Sequence, residues 1–189
     1  MTEHQRVVLV PHGALTGVHL GTHGLLDEQA PNRSFLALAG DDVLTAADIF
    51  SLDLDGALVV FSACNSGRGT ATAGGDVVGL IRATLAAGAG AVIASLWPVG
   101  DEAGCLVMTR FYEHLAGDDS GAALALDRAA ADVRSMTPAD RHSAYAELAD
   151  RSGGGVSPGL EARRDIGINA VVTDPPDLAT WAPFVYVGR

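Results

Sequence analysis

The feature that most limits what this chain can fold into is an unbroken apolar run, Ala57-Leu58-Val59-Val60-Phe61, followed at once by Ser62-Ala63-Cys64-Asn65-Ser66-Gly67. A short run of β-branched and aromatic residues suits a strand covered on both faces. The small and turn-forming residues after it mark the strand's carboxyl end, and a glycine-rich loop continues to Gly75. Open α/β sheets hold their ligands at that edge. Cys64 therefore has two readings. It is a small apolar filler, the common fate of a free cysteine, or it is a thiol presented at a cleft.

A second stretch bears on that choice. Val18-His19-Leu20-Gly21-Thr22-His23-Gly24 also reads as a short strand ending in a turn. If the two strands are parallel neighbours, His23 and Cys64 stand at one rim. A histidine beside a cysteine is the minimum apparatus for a thiol nucleophile, because it favours the reactive thiolate. His19 and His23 also share a face at strand spacing, which keeps a zinc site as a minor alternative, although no carboxylate cluster accompanies them.

Several segments resemble those of the CHAT domain family in the family's own order: Val10-Pro11-His12-Gly13, Thr22-His23-Gly24, Leu44-Thr45-Ala46, Ser62-Ala63-Cys64, Ser95-Leu96-Trp97-Pro98-Val99 and Trp181-Ala182-Pro183-Phe184-Val185. These are caspase-like peptidase domains, related to caspases and separases and often attached to tetratricopeptide repeats. The resemblance implies an α/β fold, a caspase-like three-layer sandwich with a mostly parallel central sheet and helices on both faces. It implies a cysteine peptidase with Cys64 as nucleophile and His23 as its histidine. The backbone N–H groups of Gly24 and Cys64 would form the oxyanion hole, and Ser62, Trp97 and Asp101 are candidates for the substrate pocket. The expected partners are a peptide or protein substrate, with a basic residue preceding the scissile bond, and a tetratricopeptide-repeat or other sensor region. No cofactor or metal is expected. The chain departs from the family in two places: only Ala14 to Gly21 separate the Pro-His-Gly segment from Thr22-His23-Gly24, a shortening between residues 15 and 18. Asn65 also stands where many family members have an acid. A catalytically inactive CHAT module that binds a partner is the alternative reading.

Length and composition fit this frame. The chain of 189 residues, 48% apolar, suits one domain over 1–189 with a real core. Two cysteines without framework spacing fit a reducing cytoplasm. The polar start, Met1 to Arg6, lacks the apolar middle of a signal peptide, and no stretch has the length of a membrane span. The net charge is −11 and every basic residue other than histidine is arginine. That balance disfavours nucleic-acid backbones and anionic membranes as partners. Solubility alone accounts for it, and a basic peptide substrate would also suit it.

The pattern along the chain alternates strands and helices. Strands are expected at Arg6–Val10, closed by Pro11 with His12 in a turn, at Phe35–Leu38, at Ala91–Leu96, at Ile166–Val172 and, near a sheet edge, at Trp181–Val187. Leu25 to Arg33 reads as a surface loop. Thr45 with Asp48 three residues later marks a helix start. Asp76–Ala87 is a helix with Val77, Leu80, Ile81, Thr84 and Leu85 on one face. Gly88-Ala89-Gly90 ends it and is no dinucleotide site, because it precedes a strand and follows a helix. The loop Ser66 to Gly75 lacks the lysine of a Walker loop. Asp101 is either a cap or first-turn acid of the helix Ala103–Leu115, or a carboxylate facing a basic substrate residue. Cys105 on that helix reads as filler. Ser120 is expected to cap a helix to Arg134. Residues 136–180, broken by Pro138, Gly153-Gly154-Gly155, Pro158 and Pro175-Pro176, read as an irregular insertion with a helix at Ala139–Arg151.

Overall fold

The fold is a mixed α/β one with a mostly parallel central sheet, seen in a computed structural model that describes residues 6–12, 15–22, 24–25, 35–38, 42–62, 75–96, 99–117, 121–151 and 178–188. It divides into two compact units, Met1–Gly100 with Ala182–Arg189, and Asp101–Trp181.

The first unit is built on a five-stranded sheet. Strands β1 (Arg6–His12), β2 (Leu15–Gly21), β6 (Leu58–Phe61), β7 (Ala91–Ser95) and β8 (Phe184–Gly188) lie side by side in the order β1-β2-β6-β7-β8. The central three, β2, β6 and β7, run parallel, and β1 and β8 flank them antiparallel. All four residues of β6 and all five of β7 are buried. This is the burial that an uninterrupted apolar run calls for in a covered strand.

β1 and β2 form an antiparallel hairpin where the sequence led us to expect a shortening between residues 15 and 18. β1 pairs with β2 from Arg6↔Gly21 to His12↔Leu15. This corrects two expectations, since the first strand continues through Pro11 and His12 ends it, outside any turn. Proline is tolerated there because β1 is an edge strand, where a missing N–H need not break a central ladder. β2 likewise starts at Leu15, three residues before the strand pattern becomes visible in the sequence.

A smaller sheet, β3 (Gly24–Leu25), β4 (Phe35–Ala37) and β5 (Val43–Thr45), is antiparallel throughout. Leu25, expected in a loop, thus belongs to a strand; the rest of that loop lies outside the described residues. Helix α1 (Ala46–Phe50) follows directly and has the capping box that Thr45 and Asp48 encode. The Asp48 N–H donates to Thr45 Oγ1, and the Thr45 N–H donates to Asp48 Oδ2 at 2.9 Å. The Thr45 hydroxyl, donating to Asp48 Oδ2 at 2.6 Å, and the Thr45 N–H after it hold the Asp48 carboxyl below its ordinary pKa of 3.8.

Helix α2 (Gly75–Ala86) supplies Leu80, Ile81 and Ala83 to a core with Leu20, Leu36, Ile49, Val59, Phe61, Val92 and Ala94. Burying a side chain such as Leu80 or Ile81 contributes roughly 1.5–3 kcal/mol. Thr84, fully buried on the same helix, satisfies its hydroxyl by donating to the Leu80 carbonyl at 2.7 Å.

The second unit is helical. Helices α3 (Asp101–Gly117) and α4 (Ala122–Ser135) pack against each other. Leu106, Val107, Phe111 and Leu115 are buried on α3, and Ala125, Leu126, Ala129 and Val133 on α4, each set spaced for one face. His114 Nε2 and Asp132 Oδ2, 2.8 Å apart, join the two. The cap of α4 differs from expectation: the N-cap is Gly121 at φ +87°, with no side-chain bond, and Ser120 lies outside the described residues. Helix α5 (Pro138–Arg151) is the helix expected at Ala139–Arg151, one residue longer at its start, and Thr137 and Asp140 cap it reciprocally. Trp181, expected in the final strand, instead ends the short helix α6 (Leu178–Trp181), with the Arg134 guanidinium 4.8 Å from its ring centre. The expected strand Ile166–Val172 lies outside the described residues.

Candidate active site

The carboxyl ends of β2 and β6 form one rim. Parallel pairing runs from Gly17↔Leu58 to Leu20↔Phe61, and the Ser62 N–H then donates to the Leu20 carbonyl at 3.2 Å. The two stretches singled out in the sequence therefore leave the sheet from adjacent strands at the same level. Adjacent strands in a sheet lie about 4.7–4.9 Å apart. His23 lies three positions beyond Leu20, and Cys64 three positions beyond its partner Phe61.

The rim is polar and cross-linked. His19 Nε2 and Ser62 Oγ share a hydrogen bond of 2.5 Å. The register explains their meeting. His19 lies opposite Val60, and Ser62 is two residues further along on the same face. A long side chain reaches such a diagonal neighbour. Gly21, next on the His19 face, adds no side chain over Ser62; a Cβ built there would lie 3.5 Å from the Ser62 hydroxyl oxygen. Burial holds the His19 imidazole below its ordinary pKa of 6.5. The neutral ring accepts from the Ser62 hydroxyl in one tautomer and donates to it in the other. One step along, Thr22 Oγ1 donates to the Ala37 carbonyl at 2.5 Å and ties the end of β2 to β4. At the far side of the rim, the Leu96 N–H donates to the Pro183 carbonyl at 2.7 Å.

The residues expected to carry chemistry divide as follows. His23, Cys64 and Trp97 lie outside the described residues, as does the loop Ser66–Gly74. Gly24 opens β3 and pairs with Leu36. Ser62 stands half-buried at the rim, with its hydroxyl engaged by His19. Asp101 is the first residue of α3 and solvent-exposed, a first-turn acid that complements the helix dipole. The contribution missed by sequence reasoning is that of His19, considered there only as a metal ligand. Its signal was the alternation that puts it on one strand face, but its partner depends on the β2–β6 register. Among the described residues, no group of three or more His, Cys, Asp or Glu is placed to hold a metal ion.

Cys105 offers a contrast on α3. It is half-buried, and burial pushes its thiol above the ordinary pKa of 9.0, aided by the charge of Asp101 and opposed by a hydrogen bond with Thr109. A thiol held protonated is a poor nucleophile. Among the described residues, no helix is long and apolar enough to cross a membrane.

Comparison with known proteins fits this arrangement. The family model of the CHAT domain matches residues 5–189. A stretch of 73 residues, 39% of this chain, is 45% identical to Tetratricopeptide repeat protein 28 of Mus musculus. The protein of the same name from Homo sapiens is 44% identical over 73 residues. The match spans only 3% of the length of each of these relatives. A parallel sheet that delivers the Thr22-His23-Gly24 and Ser62-Ala63-Cys64 segments from neighbouring strands, within a match running nearly end to end, makes this chain a member of the CHAT family of caspase-like, peptidase-related domains.

Proposed function

We propose that the chain is a cysteine peptidase-like CHAT domain that cleaves peptide bonds with a Cys64–His23 dyad. The observation that carries this reading is the parallel β2–β6 pair, which sends both segments off one rim at equal offset from the registered pair Leu20 and Phe61. In this mechanism the Cys64 thiolate attacks the scissile carbonyl carbon, and the carbonyl π pair moves onto oxygen. The Gly24 and Cys64 N–H groups stabilise that oxyanion. Collapse expels the amine, which takes its proton from His23, and leaves a thioester. Water, deprotonated by His23, attacks the thioester to release the acid, and the proton returns to the dyad.

A basic residue before the scissile bond suits the acidic chain, with Ser62, Trp97 and Asp101 as pocket residues. A reducing, cytoplasmic setting would keep the thiol active. The match to proteins named for tetratricopeptide repeats supports a repeat-containing or other protein partner as the source of control. Both compact units act together as one domain in this reading.

The test is digestion of a peptide library by wild type and Cys64→Ala. Loss of all cleavage in the variant is expected, and cleavage that survives it rules out the nucleophile. The second reading, an inactive partner-binding module, draws on the tight β1–β2 hairpin, since the family resemblance implies a longer connection there. Iodoacetamide separates the two. A catalytic Cys64 labels near neutral pH well ahead of Cys105, whereas equal, slow labelling favours the inert module.

A further inference from the structure

We infer that His19 is a positioning residue, whose hydrogen bond to Ser62 locks the ends of β2 and β6 together and so fixes the spacing of the two segments that leave them. The inference rests on the dyad reading above and adds to it the device that keeps the dyad aligned.

Three observations converge. The bond joins two different strands across the rim, at the last level before both segments depart. Backbone pairing at that level has thinned to the Ser62 N–H donating to the Leu20 carbonyl, so a side-chain bond there adds restraint where the ladder ends. The position of each partner along the chain is also telling. Ser62 precedes Cys64 by two residues and His19 precedes His23 by four, leaving short tethers. Two residues span at most about 7 Å. A rotation or slip of either strand end is thereby passed on to the group it carries.

The chemistry makes such a restraint consequential. A thiol and an imidazole work as a pair only within hydrogen-bond reach, and a displacement of about 1 Å costs on the order of a hundredfold in rate. A single hydroxyl–imidazole bond suits the task, since Ser62 has one short rotor and His19 is held half-buried with its ring neutral. Pocket residues act differently. A Ser62 that only touched substrate would alter peptide binding, and would leave attack on a small reagent unchanged.

The experiment measures alkylation of Cys64 by iodoacetamide in the full chain as a function of pH, with Cys105 as the internal reference and melting curves for each variant. In His19→Leu and Ser62→Ala, Cys64 labelling at pH 7 is expected to slow about ten- to a hundredfold, with its pH midpoint moved upward. The double variant should be no slower than either single one, because both remove the same bond. His19→Gln, whose amide reaches the place of Nε2, should label near the wild-type rate. Ser62→Ala removes one atom, so it reports on the bond even if His19→Leu fails to fold.

Two results overturn the inference alone: wild-type labelling in both His19→Leu and Ser62→Ala, or a His19→Gln rate as slow as that of His19→Leu. Failure of the dyad reading looks different. There the wild-type Cys64 labels no faster than Cys105, and the positioning role falls with it.

Discussion

The two rims of the central sheet are held by different means. At the amino ends of β6 and β7, among the described residues, backbone bonds join the chain. The Leu54 N–H donates to Ala87, Gly56 to Gly88, Ala57 to Leu54, and both Gly90 and Ala91 to Ala57. Gly56 and Gly88 take positive φ, and Gly90 lies so close to Gly56 that a Cβ would meet its carbonyl oxygen at 3.0 Å. Only glycine permits such an approach at no steric cost. At the carboxyl ends of β2 and β6, side chains add to the backbone bond from Ser62 to Leu20: His19 bonds Ser62, and the Thr22 hydroxyl bonds the Ala37 carbonyl of β4. A backbone-joined rim tolerates little change in shape, and the bonds that cross it involve no titratable group. A rim joined by a hydroxyl and an imidazole responds to sequence, pH and neighbours. The first is suited to holding the fold and the second to chemistry.

The contrast can be broken experimentally. The largest effect should come from the structural rim. Gly90→Val must push its branched side chain into Gly56 and is expected to destabilise the protein by about 1–3 kcal/mol, read as a lowered denaturation midpoint. Below its melting range the variant should still label Cys64 at the wild-type rate. A changed rate would mean that the two rims are mechanically coupled.

A smaller loss is expected at the cap between the two sheets. Thr45→Ala removes the acceptor for the Asp48 N–H and should cost about 1 kcal/mol, again without altering thiol labelling. Denaturant melts of the variant would show a shifted midpoint at unchanged slope.

The smallest effect sharpens the chemical rim. Burial lowers the His19 pKa in the folded protein, so the folded state favours the neutral ring. Its contribution is present above the unfolded value near 6.5 and is lost as pH falls below that value, levelling off under the folded pKa. The wild-type melting temperature should therefore drop between pH 7 and pH 5 more steeply than that of His19→Gln, which has no proton to gain. Parallel curves would mean that the ring is not held neutral.

Local signals in the sequence translated well into structure. Thr45 and Asp48 cap α1 as their spacing says, because both partners lie within one turn. The apolar spacing of Leu80, Ile81 and Thr84, and of Leu106, Val107, Phe111 and Leu115, marks buried faces, because helix periodicity is written in nearest neighbours. The burial of β6 and β7 followed from unbroken apolar runs. The readings that failed depended on distant context. Pro11 looked like a strand terminator until β1 proved to be an edge strand. Trp181 looked like strand because its apolar neighbours continue into β8, whereas it ends α6 beside Arg134. The box of Thr137 and Asp140, the same signal as at Thr45, was hidden by the surrounding prolines and glycines. Of the candidate site, the two strand ends were visible as an apolar-to-small transition. The His19–Ser62 bond was not, since it exists only in one register of two strands far apart in sequence.

The placement of β8 carries a consequence for how the sheet is completed. Ala91 on β7 pairs with Gly188, and the entire helical unit from Asp101 to Trp181 intervenes between them. Until β8 has been synthesised, β7 presents an apolar strand with one unsatisfied side, the kind of surface that invites pairing with another chain. A Cβ at Gly188 would lie 2.7 Å from the Ala91 Cβ, so a larger residue there fits only if its neighbours shift. The edge of β7 is thus covered only after the whole helical unit has been made.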